Sequence, residues 1–159
     1  MTARAAPLLV QRGLLLDQAR NQPDPERLEE LIAFQRTGYR LVLLARRPVR
    51  WRPTLSSMDT DLGLQQTLHQ AFRRAGAELD GTLYLTTGFF ARRQARLDEL
   101  QRLALRYGVK GHDLIAIGRD PTLLETVVQC GGRAFNLGSQ AVAGAGASAG
   151  LKTALDALV

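Results

Sequence analysis

The chain predicts an α/β domain in which a doubly wound parallel sheet of about five strands carries helices on both faces. Short apolar runs recur at residues 8–11, 41–44, 81–87, 114–118 and 134–137, and stretches of helical spacing separate them. Glycine or proline closes most of these segments. The second run, Leu41-Val42-Leu43-Leu44-Ala45, is apolar without alternation, as a strand buried on both faces requires.

The elements follow in order. Pro7-Leu8-Leu9-Val10-Gln11 reads as a buried first strand that turns at Arg12-Gly13. A loop over residues 21–24 leads to a helix with Asp24 as N-cap and Pro25 at the first helical position; Leu28, Leu31, Ile32 and Gln35 share one face, and Gly38 ends it. After the second strand, residues 46–63 show no clear period, contain two prolines and read as a long loop over the sheet rim. A helix from about Leu64 to Ala75 carries Leu64, Leu68 and Phe72 and stops at Gly76. The third strand follows, then a helix bearing Leu97, Leu100, Leu103 and Leu105. Pro121 opens the helix between the fourth and fifth strands, and Gly131-Gly132 closes it. One domain is expected over residues 1–139, then a flexible Ala/Gly/Ser segment at 140–150 and a short helix at 151–159, weakly docked or held for a partner.

Composition narrows the chemistry. The 159 residues hold Lys+Arg 21 against Asp+Glu 15, a formal charge of +6, and Lys110 and Lys152 are the only lysines. Arginine keeps its charge at physiological pH and binds phosphate or carboxylate through a planar fork, so acidic partners are favoured. A GC-rich genome, which favours arginine codons, accounts for the same composition. The single cysteine, Cys130, excludes an internal disulfide and a cysteine-based metal cluster, and a cytoplasmic setting is expected. The apolar patch before Leu16 is interrupted by Gln11, Arg12 and Gly13, so neither a signal peptide nor a membrane span is expected.

Arginines gather after strands. Arg12, Arg46, Arg47, Arg92, Arg93 and Arg119 fall just past strands or on the loops leaving them, and Arg50 and Arg52 flank Trp51 nearby. Ligands of open α/β sheets bind at that rim. At an effective dielectric near 20, two like charges about 8 Å apart repel by about 2 kcal/mol, so something acidic should answer them. The answer is either internal, from Asp59, Asp61, Asp98, Glu99 or Asp120, or a bound anion, or water around side chains that fan outward. Trp51 suits a stacked base or a protein contact, and equally a loop cover over the core. His69 and His112 have no second ligand near them in sequence and read as surface residues; Cys130 reads as a small buried one.

Several strings resemble the haloacid-dehalogenase (HAD) superfamily, in its cap-poor branch of histidinol-phosphate and heptose-bisphosphate phosphatases. Residues 25–44, with Gly38-Tyr39-Arg40-Leu41-Val42, are similar to that branch's helix and second strand. Residues 74–81 are similar to its lead into the third strand, and residues 112–138, with Ile117-Gly118 and Gly131-Gly132, to its fourth and fifth. The resemblance runs from about Leu8 to Gly138. It implies a Rossmann-like, HAD-like sheet with the first strand near its centre and no large cap domain.

The resemblance also implies a chemistry that these residues do not match. The superfamily opens on Asp-x-Asp-Gly-Thr, the first aspartate attacking phosphorus and the second serving as acid and base. With Gly13 on that glycine, Val10 stands at the nucleophile, Arg12 at the acid/base and Leu14 at the threonine. The hydroxyl residue at the end of the second strand falls on Ala45, the lysine near Arg92 or Arg93, and the acidic pair that holds Mg²⁺ on Arg119 and Leu123, with Asp120 displaced by one. Asp17 lies too far past the turn to substitute. The degenerate catalytic positions are thus Val10, Arg12, Ala45, Arg93 and Arg119; no cofactor is expected, although the family implies Mg²⁺.

Three functions compete. The favoured one is an inactive phosphatase-like protein that binds an anionic ligand or a protein partner through Arg12, Arg46, Arg47, Arg93 and Arg119. The second is a phosphatase for a sugar phosphate or histidinol phosphate that works with displaced residues. The third is a polyanion or nucleic-acid binder using the loop at 46–52, for which there is charge but no recognised module.

Overall fold

In a computed structural model of the chain, the described residues are 6–17, 19, 22–47, 55–87 and 93–158, with only the backbone described for 55–60. The chain runs β1 (Leu8–Gln11), a 3-10 turn (Arg12–Leu15), β2 (Leu16–Asp17), β3 (Gln22–Pro23), α1 (Pro25–Gln35), β4 (Leu41–Arg46), α2 (Leu55–Arg74), β5 (Gly81–Leu85) and α3 (Arg93–Arg106). A second 3-10 turn (Gly111–Asp113) leads to β6 (Ile115–Gly118), α4 (Pro121–Gln129), β7 (Arg133–Asn136), β8 (Gly146–Ala147) and α5 (Leu151–Asp156). The main sheet has the order β5-β4-β1-β6-β7-β8 and every pairing in it is parallel. β2 and β3 pair antiparallel as a separate ribbon.

The central position of β1 explains its composition. Leu8 and Val10 face one core layer while Leu9 faces the other, and all three are wholly buried. The first layer packs Leu31, Phe34, Leu68 and Phe72 of α1 and α2, and the second packs Leu100 and Leu103 of α3 with Leu123 and Val127 of α4. An unbroken apolar run is thus the pattern of a strand covered on both sides. Asp24 caps α1, its Oδ1 accepting from Glu26 N at 3.1 Å and Arg27 N at 3.4 Å, and Gly38 takes the left-handed φ of 106° that turns the chain toward β4.

The structure departs from the sequence reading in several places. α2 begins at Leu55, so much of the span read as loop is helix. Ser56, Ser57, Asp59, Thr60, Asp61 and Gly63 have weak helix propensity, which concealed a helix supported by packing of its later turns. Leu105 is 76% exposed and takes no part in the core.

The Ala/Gly/Ser segment carries a sixth strand. Asn136, only 5% exposed, donates Nδ2–H to Gln140 O at 2.7 Å and accepts from Gly138 N through Oδ1 at 2.8 Å, and Ser148 N donates to Asn136 O at 3.0 Å. Val142 and Ala145 pack on the second core layer. α5 lies on α1, and Leu151, Ala154, Leu155 and Leu158 are buried in the first. Their spacing of three and four residues makes one apolar face, and that face meets the domain itself. Among the described residues, no helix is long and apolar enough to cross a membrane.

Candidate functional site

The carboxyl ends of β1, β4 and β6 converge because the three strands are adjacent and parallel, with Val10 beside Leu43 and Ile117. Gln11, the last residue of β1, ties this crevice together: its Oε1 accepts from Arg119 N at 2.7 Å and from Asp120 N at 2.9 Å. Both backbone donors at the exit of β6 are thereby satisfied by one side chain. A Cβ at Gly118 would lie 2.9 Å from that same oxygen, so a side chain there would displace the amide from its two donors. Gln11 is the one polar residue in the run from Leu8 to the turn, and that isolation at a strand end was its signal in the sequence.

Two carboxylates answer two of the arginines. Arg12 pairs with Asp61, Nη2 to Oδ1 at 2.8 Å, with side chains 15% and 12% exposed. Its Nη1 donates to Gln65 Oε1 at 3.2 Å and to the Tyr84 hydroxyl at 3.1 Å, while that hydroxyl donates to Asp61. Gln65 in turn donates to Thr82, so the network joins the first turn to α2 and β5. Burial, and then the bond to Asp61, push the Tyr84 hydroxyl above its ordinary pKa.

Arg46 forms a two-pronged pair with Asp120: Nη2 donates to Oδ1 at 2.8 Å and Nε donates to Oδ2. The Arg46 side chain is 53% exposed and that of Asp120 11%. Asp120 also caps α4, Oδ1 accepting from Thr122 N at 3.0 Å. Burial opposes ionisation of Asp120, but the Arg46 guanidinium outweighs it and holds the carboxyl below its usual range.

The other positions fall apart from these. Val10 contributes only methyl groups and is wholly buried, and Ala45 contributes one methyl at the end of β4. Arg93 is turned onto α4, its Nε donating to Gln129 Oε1 at 2.6 Å. Arg119 donates Nη2–H to Gly13 O at 3.1 Å. Arg47 is exposed, its backbone N–H held by Leu85 O at 2.9 Å. Arg12, Arg46, Arg93 and Arg119 each have a polar partner within the protein. Arg50, Trp51, Arg52 and Arg92 lie outside the described residues. Asp17 is in the β2–β3 ribbon, where its Oδ1 accepts from Ala19 N, and His112 is exposed beside Asp113. Cys130 is half-buried rather than buried, and desolvation raises its thiol pKa.

The residues present do not fit Mg²⁺. That ion requires hard oxygen ligands in a near-octahedral set, and the matched positions supply alkyl groups from Val10 and Leu123 and guanidiniums from Arg12 and Arg119. Asp120 is one residue displaced from a matched position, and a guanidinium already covers both of its oxygens. Among the described residues, no group of three or more His, Cys, Asp or Glu side chains is placed to hold a metal.

No protein-family model and no curated protein matches the chain. Solved structures do. D,D-heptose 1,7-bisphosphate phosphatase from B. bronchiseptica, in complex with magnesium and phosphate, is 15% identical, with 96% of this chain and 97% of that one covered and a TM-score of 0.67. The enzyme of the same name from Burkholderia thailandensis has the same identity and coverage with a TM-score of 0.69. The 3-deoxy-D-manno-octulosonate 8-phosphate phosphatase of Moraxella catarrhalis is 14% identical over 98% of this chain and 84% of its own, with a TM-score of 0.52. With its parallel six-stranded sheet centred on β1, the chain has the Rossmann-like fold of the HAD phosphatases.

Proposed function

We propose that this chain is a catalytically inactive protein of the HAD phosphatase fold, which binds an anionic ligand or a protein partner at the rim where its fold neighbours carry out hydrolysis. The observation that carries this reading is the pair of side chains at the strand ends: a wholly buried valine at the nucleophile position, and Asp120 locked to Arg46. Attack on phosphorus requires a nucleophilic atom in line with the leaving group, and valine has none. Protonation of the leaving oxygen requires an acid that titrates near neutrality. The matching position holds the guanidinium of Arg12 in place of a carboxylic acid.

The same rim supports an anion-binding role. Arg46 is half in solvent, so a phosphate or carboxylate reaches it by sharing the guanidinium with Asp120. Arg12 is closed off by Asp61 and holds the fold together instead. Arg119 braces the turn after β1 through Gly13 O.

The test is phosphate release by the purified protein with Mg²⁺ over sugar phosphates, heptose bisphosphate and histidinol phosphate. No release above buffer is expected, from wild type or Asp120→Asn. The second reading, a phosphatase with displaced residues, draws on the substrates named for the fold neighbours. Mg²⁺-dependent turnover that disappears in Asp120→Asn would establish that reading and end the first.

A further inference from the structure

We infer a second anion site, away from the rim, in the cleft between the edge strand β5 and helix α3: it takes the phosphate group of a small phosphorylated ligand among Arg47, Arg102 and Arg106. The cleft has a volume of about 200 Å³, and Leu83, Tyr84 and Glu99 complete its lining. No residue of β1 or β6 lines it. The site is therefore independent of whether the rim is catalytically inert.

The charge in this cleft is not balanced from within. Glu99 is the one carboxylate in the lining, and it is already engaged, accepting from Thr86 N at 3.2 Å and from the Thr86 hydroxyl. Arg102 makes one long bond, Nε to Asp98 O at 3.4 Å, and among the described residues no carboxylate lies within ion-pair distance of Arg47, Arg102 or Arg106. Arg12 and Arg46, by contrast, are answered by Asp61 and Asp120. Three planar forks facing one small volume form a donor set suited to a tetrahedral oxyanion.

Size selects the ligand class. A drug-sized molecule needs a cavity of about 300–1,000 Å³, so this cleft admits a head group and little more. A neighbouring cavity of about 210 Å³ shares Leu83 and Arg106 with it and adds Arg40, Thr82, Asp80 and Tyr107. There the Tyr107 hydroxyl donates to Asp80 at 2.6 Å and Arg40 stacks over the Tyr107 ring. The body of the ligand lies in this second cavity, along the open edge of β5, with Arg106 between the two. In the sequence Arg106 stands on a helix far from any strand end, and only the packing of α3 brings it to Arg47.

The test uses the full-length protein and inorganic phosphate as the probe. Thermal midpoint and calorimetric titration are read at ionic strength matched with chloride, because a bound anion raises stability by mass action and general screening does not discriminate between ions. Wild type and Arg73→Gln in the exposed last turn of α2 are expected to respond alike. The double variant Arg102→Gln/Arg106→Gln should keep its midpoint without phosphate and bind phosphate at least about tenfold more weakly. An unchanged response in the double variant, an equal loss in Arg73→Gln, malonate binding as tightly as phosphate, or no response in wild type would each overturn the assignment. Loss in Arg46→Gln alone would place the anion at the rim and would overturn it too.

Discussion

Replacement of Asp120 isolates what the Arg46 pair contributes. The carboxylate performs two tasks, capping α4 through Thr122 N and accepting both prongs of Arg46. Loss of an N-cap costs about 1 kcal/mol. The ion pair is worth about 0–1 kcal/mol, discounted because more than half of the Arg46 side chain is in solvent. The backbone N–H of Asp120 keeps Gln11 as its acceptor in either variant. Asp120→Ala should therefore cost about 1–2 kcal/mol, a fall in Tm of about 2–8 °C for a chain of this size. Asparagine retains the cap and one acceptor, so Asp120→Asn should cost about 0.5 kcal/mol, or about 1–2 °C.

The pH dependence provides an independent check on the same residue. Because the folded-state pKa lies below the ordinary 3.8, ionised Asp120 stabilises the fold above that value, and the contribution is lost as the pH falls through the folded pKa. Wild type should exceed Asp120→Asn at neutral pH, and the two should converge below the ordinary value. Differential scanning calorimetry across that range reads both effects. If asparagine proves as costly as alanine, or if the difference persists in strong acid, the charge pair is not what holds this corner.

Two further substitutions probe the rest of the framework. Val10→Asp places a carboxylate in a wholly buried position flanked by Leu43 and Ile117; with nothing to solvate the charge it should cost about 3 kcal/mol or more and bring no phosphatase activity, and a variant that melts with wild type would refute the burial argument. Leu155→Ala should cost about 2–4 kcal/mol by opening a cavity between α5 and α1, and a melt within about 1 °C of wild type would mean that α5 is only loosely held.

The sheet was legible because its signals are local. An apolar run without alternation at residues 41–44, a capped proline at Asp24-Pro25 and a glycine at Gly38 each report their own neighbourhood. Where local propensity and packing disagree, the reading failed. The serines and aspartates before Gly63 disfavour helix, yet α2 extends back to Leu55. The Gly146-Ala147 strand has no side chains with β preference and is held by pairing to β7 and by the bonds around Asn136. The apolar face of residues 151–158 was visible; that α1 would cover it was not, since the two are far apart in sequence.

The arginines show most clearly what a sequence withholds. Their gathering after strands is visible, and so is the expectation that something acidic answers them. Which acid answers which arginine depends on contacts such as Arg46 to Asp120, 74 residues apart. Each unanswered pair about 8 Å apart would cost about 2 kcal/mol at an effective dielectric near 20, enough to matter beside the 5–15 kcal/mol of a typical domain. Internal carboxylates remove that cost for Arg12, whose side chain is 15% exposed, and for Arg46, which is half in solvent. The charge still open to a ligand is then displaced outward, past β4 to the edge strand, where Arg47 meets two arginines that no strand-end rule would have paired with it. The internal pairs that occupy Arg12 and Arg46 thus leave the arginines beside α3 as the charge without a carboxylate partner among the described residues.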